Sequence, residues 1–254
     1  MNHFGMTTSR TPYDAASAVL HNPTLPPGED ERFVGYGVMG LPFASGHYLA
    51  LRNFPAATFA PAYKSVWHCG PDGVWTFYAT TPGQQSCARY FSSATPRNDA
   101  VQCDITIEWV SPWSLFVAIT GLLEWQIDLR STLSTRLMSA VGDLLPAGAW
   151  TNRLVLAALG RAAGATLGAG QLRLAGTAPN GQRFMIGPRQ VWAVAQSRAV
   201  FDGVDLGPIG ALAGQARLDG FRPPQRGLFV VGSGHFENFD AGRHHAVQRT
   251  ISIS

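Results

Sequence analysis

The chain has 254 residues, 46% of them hydrophobic and only 14% charged, against roughly 25% charged in an average globular protein, and at this length about three quarters of the unfolded surface can be buried without disulfide staples. The net charge of +3 comes from arginines scattered singly, with no basic run and no aromatic–basic interleaving, which argues against nucleic-acid binding. Three cysteines without C-x-x-C spacing argue against a disulfide framework or a zinc site, and no apolar run reaches the roughly 18 residues of a membrane span.

The N-terminal segment has no basic stretch followed by an apolar one, so a secretory leader is not expected and a cytoplasmic protein is. Residues 1–30, with Pro12, Pro23, Pro26 and Pro27, read as an arm laid over the body. Short strands follow. Gly46–Phe54 is the first clear one, and Tyr63–Cys69 and Val74–Thr80 form a hairpin around Gly70-Pro71-Asp72-Gly73, where proline pre-sets one turn torsion and glycine accepts positive φ. Val101–Trp109, Trp113–Thr120 and Leu122–Arg130 alternate apolar and polar residues, as an antiparallel meander with one wet face does.

Residues 133–168 change character, with apolar residues at helical spacing; Pro146 divides them into two helices because it removes a backbone donor and clashes with the preceding turn. Ser134 or Thr135 is the expected cap of the first helix, and Thr151 or Asn152 lies near the start of the second. Gly160, Gly164 and Gly168 recur every fourth residue and allow another backbone to pack closely. Strands resume at Gln171–Ala178, turn at Asn180-Gly181, and continue over Arg183–Val194, Arg198–Leu206 and Leu228–Phe236. The expected architecture is mainly β: an antiparallel, lipocalin-like β-barrel over 31–240 with a helical insertion near 133–168 and a loose C-terminal tail over 241–254, since closure removes sheet edges.

Candidate chemistry rests on a few polar residues. His68 titrates near neutrality and can act as acid or base; its structural alternative is a hydrogen-bonded histidine at a barrel rim. Glu108 and Glu124 are acid/base candidates if their strands converge on a lumen, and a solvated face otherwise. Arg52 and Arg89 interrupt apolar stretches and are candidate anchors for a carboxylate or carbonyl through the planar guanidinium fork. Tyr48, Tyr78 and Tyr90, with Trp67 and Trp113, offer aromatic bodies and polar tips to line a pocket. A nucleophile elbow, a Walker loop and a dinucleotide-binding glycine motif are missing, and neither metal nor cofactor is expected.

The hairpins YKSVWHCGPDGVWTFY (63–78) and RLAGTAPNGQRFMIGPRQVWAV (173–194) resemble lipocalin-type, calycin-like barrels, including bacterial barrels similar to carotenoid hydratases and polyketide cyclases. Gly35-Tyr36-Gly37 stands where that family carries Gly-x-Trp, and the resemblance implies shape only. The function expected is binding of a small hydrophobic molecule, with or without metal-free cyclisation, isomerisation or hydration of a terpenoid or polyketide-like substrate. A non-catalytic carrier, and an interaction module using the 133–168 helices against a partner or membrane surface, are the alternatives. A homodimer is left open.

Overall fold

Residues 10–253 are described in a computed structural model of the chain. The described part of the segment expected as an arm contains a helix, α1 (Pro12–His21), set by a capping box: the Thr11 hydroxyl accepts from the Asp14 amide, and the Asp14 carboxylate accepts from the Thr11 amide. Its Ala15 and Ala16 are buried; the prolines that suggested an irregular strap lie at the first helical position and beyond the helix end, where proline is tolerated.

The next elements are β1 (Glu31–Val38), β2 (Leu41–Pro42), β3 (Tyr48–Ala57), β4 (Tyr63–Cys69), β5 (Trp75–Ala79), the short α2 (Ala88–Phe91), β6 (Asp99–Gln102), β7 (Thr106–Ser111), β8 (Ser114–Ile119) and β9 (Leu123–Arg130). Then come α3 (Leu133–Leu144), α4 (Arg153–Leu167), β10 (Ala175–Thr177), β11 (Arg183–Phe201), β12 (Val204–Asp205), β13 (Leu228–Phe236) and β14 (Arg249–Ser252). The protein is mainly β. Its single 14-stranded sheet runs β14-β6-β5-β4-β3-β1-β13-β11-β9-β8-β7, with β2, β10 and β12 on side branches. This path ends in two different edge strands, so the ladder does not close as the barrel expectation required. The sheet is mixed, because β6 runs parallel to both β5 and β14. The C-terminal residues expected as a loose tail supply β14, paired residue for residue with β6.

Two expected strands are one. β11 runs for 19 residues and changes partner along its length: residues 184–193 pair with β13, and residues 193–201 pair with β9. Register shifts at Pro188/Gln190 and Val194/Gln196 absorb the bend. Conversely, the expected strand Val101–Trp109 is broken between Gln102 and Thr106, so its two parts belong to different regions of the sheet.

The β9 ladder stops at Arg130 opposite Ala193, and α3 continues along the exposed edge of β11. The Ser139 hydroxyl accepts from the Val191 amide (2.9 Å) and donates to its carbonyl (3.3 Å), replacing the strand that is missing there. Gly142 permits this approach, since a Cβ would overlap the Arg189 carbonyl. Thr132 caps α3 and Asn152 caps α4, each close to the expected position. The glycine series does pack a backbone: side chains at Gly160 and Gly164 would meet the carbonyls of Leu172 and Gly170, while Gly168 ends α4 at φ 61°. The insertion thus fills the gap between β9 and β10 and folds back over the sheet.

Alternation on β3 and β4 divides the core. Leu49, Leu51 and Val66 join the α1-side cluster with Trp125 and Phe229, while Tyr48, Ala50, Phe54 and Trp67 face the opposite cluster with Phe91 and Phe236.

Candidate functional site

On the second face lies a cavity of about 170 Å³. Its floor is the sheet: Phe33 and Gly35 of β1, Arg52 and Phe54 of β3, Trp67 of β4, Val191 of β11, and Val230 and Gly232 of β13. Met138 of α3 and Ala163 and Leu167 of α4 roof it. Gly35 and Gly37 let β3 cross β1 closely, because a Cβ on either would overlap a β3 carbonyl.

Arg52 is the buried polar group of this wall. Burial lowers its pKa from the usual guanidinium range. Nη1 donates to the carbonyls of Val38 (2.7 Å) and Leu51 (2.8 Å), and Nη2 donates to that of Met39 (3.3 Å). The guanidinium lies 4.9 Å from the Trp67 ring centre, a favourable cation–π distance. Three carbonyls leave part of its five-donor fork unused, and no carboxylate lies within ion-pair distance among the described residues. Ser65, directly opposite Arg52 across the β3–β4 ladder, is fully buried, and its hydroxyl has no partner; neither has the buried indole N–H of Trp67. Buried donors normally find acceptors. Here two neighbouring residues, Ser65 and Trp67, hold donors with none.

Arg173 and Arg222 also line the cavity, giving it three arginines and no aspartate, glutamate, histidine or lysine. Its ionisable protons belong to Tyr36 and Cys87, and burial raises the pKa of both. Cys87 Sγ shares a hydrogen bond of 3.2 Å with the Tyr63 hydroxyl. The wall therefore carries positive charge without a group that exchanges protons at neutral pH.

The sequence matches no family model and no curated protein. Among solved structures, it is similar to an acetoacetate decarboxylase from Legionella pneumophila subsp. pneumophila str. Philadelphia 1, at 10% identity and a TM-score of 0.40, covering 85% of this chain and 87% of that one. It is also similar to an acetoacetate decarboxylase-like enzyme from Sphingomonas wittichii RW1, at 10% identity and a TM-score of 0.28, covering 82% of this chain and 89% of that one. At this identity and these TM-scores neither assigns a residue or an activity to this chain, and neither supports the carotenoid-hydratase side of the resemblance.

The sheet separates the residues singled out from the sequence. Arg52 and Trp67 line the cavity. Tyr48 shares their face but is fully buried, its hydroxyl donating to the Pro224 carbonyl at 2.6 Å. Arg89 and Tyr90 sit in the helix α2 rather than in a strand, and both donate to the buried Glu31 carboxylate at 2.7 Å.

His68, Tyr78 and Trp113 pack with the other face. His68 Nε2 is 2.9 Å from His47 Nδ1, and its ring stacks on Phe201 at 3.8 Å. Burial, and then the nearby His47, push its pKa down to about 4. His235 lies apart from this pair, approaching Asp30 at 3.6 Å. No group of three metal-ligating side chains occurs among the described residues. Glu108 and Glu124 are exposed, on β7 and β9 with β8 between them, on the polar face of the meander. Sequence reasoning missed Ser65 and the roof residues Met138 and Leu167, whose role depends on how the insertion folds back.

Proposed function

We propose that the protein binds a small apolar organic acid, with the hydrocarbon part in the cavity and the carboxylate on Arg52. One observation carries this reading: the charged residues of this apolar cavity are all arginines, and the Trp67 indole N–H in its wall and the Ser65 hydroxyl opposite Arg52 on the β3–β4 ladder are buried donors without acceptors. A carboxylate supplies the missing acceptors and the counter-charge, through charge-assisted hydrogen bonds that the arginine fork is shaped to make. The apolar walls favour a hydrophobic body.

Size narrows the class. An apolar cavity of roughly 150 Å³ holds benzene, so about 170 Å³ suits an aromatic or short branched acid. A terpenoid or polyketide-sized substrate would require the α3–α4 roof to move outward. The lack of a proton-exchanging group in the wall favours a carrier or sensor of the acid over a cyclase, isomerase or hydratase.

Calorimetric titration of the full-length protein with benzoic acid and with benzyl alcohol at neutral pH tests this. The acid is expected to bind at least about tenfold more tightly, as one charge-assisted hydrogen bond implies, and Arg52→Met is expected to abolish the preference. Equal binding of the two probes, or an acid preference that survives Arg52→Met, overturns the assignment.

A further inference from the structure

The helices that roof the cavity turn an unusual face outward. Leu133 (79% exposed), Leu137 (58%) and Leu144 (83%) fall within about 40° of one another on α3 at 100° per residue. Met138, Ser139 and Gly142 point the other way, to the cavity and β11. On α4 the exposed face runs through Leu154 (82%), Ala158, Arg161 and Ala165, opposite the buried Leu156, Ala163 and Leu167. A solvent-facing helix surface is ordinarily built from charged and polar residues. This one is largely leucine and alanine.

Its charge is one-sided. From 132 to 168 the acidic residue is Asp143, against Arg136, Arg153 and Arg161, all three exposed. Exposed leucines interleaved with arginines are what an interfacial helix presents to a bilayer: the apolar side chains enter the headgroup boundary and the cations meet anionic lipid. No helix among the described residues is long and apolar enough to cross a membrane. A second copy of the chain would set the same arginines against themselves.

We propose that the outer face of α3 and α4 docks on an anionic lipid surface. The inner faces of the same helices close the cavity, so docking places the roof of the binding site at the boundary where an apolar molecule partitions. This inference rests on the exposed face alone and does not require the ligand to be an acid.

The test is flotation of the full-length protein with vesicles of phosphatidylcholine, with and without phosphatidylglycerol. Binding is expected to the anionic vesicles and to weaken as salt rises. The double substitution Leu144→Glu/Leu154→Glu, at fully accessible positions, is expected to weaken it on the order of tenfold or more while leaving the thermal unfolding midpoint unchanged. Leu167→Phe, which fills the cavity, is expected to lose the acid and keep the vesicles, so the two readings fail separately. Equal recovery with both vesicle types, or anionic binding untouched by the double substitution, overturns the proposal. So does a concentration-dependent dimer that the double substitution dissolves, since that assigns the face to a second copy.

Discussion

Glu31 is the carboxylate on which α2, the Asn180-Gly181 turn and the segment after β13 converge. Oε1 accepts from Arg89 Nη2 (2.7 Å) and the Phe239 amide (3.3 Å); Oε2 accepts from the Tyr90 hydroxyl (2.7 Å) and Gln182 Nε2 (3.1 Å). The Glu31 and Arg89 side chains are 11% and 18% exposed, so water replaces little of what a substitution removes. Removing one partner of a buried pair costs about 3–5 kcal/mol, and unsatisfied tyrosine and glutamine groups add about 1–3 kcal/mol each before relaxation. Glu31→Leu is therefore expected to destabilise the protein by about 4–6 kcal/mol in urea denaturation. Arg89→Leu is expected to cost about 3 kcal/mol, since Tyr90, Gln182 and the Phe239 amide still hold the carboxylate. The double variant should cost less than the singles together, with a coupling of about 1–3 kcal/mol. If Glu31→Leu costs less than about 1 kcal/mol, or if the two substitutions simply add, the cluster does not hold these segments together.

Three further outcomes follow from the same geometry. His68, held near a pKa of 4 by burial against an ordinary value of 6.5, binds its proton later in the folded than in the unfolded chain; stability should fall as pH drops from 6.5 towards 4, by roughly 3 kcal/mol at most, and His68→Gln should flatten the denaturation profile in that window. Gly164→Ala drives a methyl group into the Gly170 carbonyl, and a loss of about 1–3 kcal/mol is expected, with faster amide exchange confined to α4 and the 170–174 segment. Leu167→Phe adds volume to the roofed cavity and should hold or raise the unfolding midpoint while calorimetry records no benzoate binding.

Local pattern made much of this legible. The meander, both hairpin turns, the proline break and the glycine packing depend on neighbours in sequence, and each leaves a signature there. Other features depend on distant partners. Arg89 and Tyr90 sit in an aromatic stretch that reads as a strand, yet contacts to Glu31, 58 and 59 residues earlier, accompany a short helix. Alternation shows that Arg52 and His68 occupy strands, but only the β3–β4 register shows that they face opposite sides of the sheet. The covering of the β11 edge was hidden for a similar reason, since Ser139 does it from a helix and nothing in its sequence context marks that task. Glu108 and Glu124 followed the ordinary rule that a meander's polar face meets water.

That serine has a price for any motion of the roof. Were α3 to lift, Val191 would present a bare amide and carbonyl beside an apolar strand, a template on which another chain can add a strand. α4 has no such duty: its contacts, with the 170–174 connection, with Arg226 and with apolar residues of the sheet, cover no strand edge. If the roof opens to admit a guest, α4 is the helix that can move without baring this edge, while α3 keeps it covered as a guard against self-association.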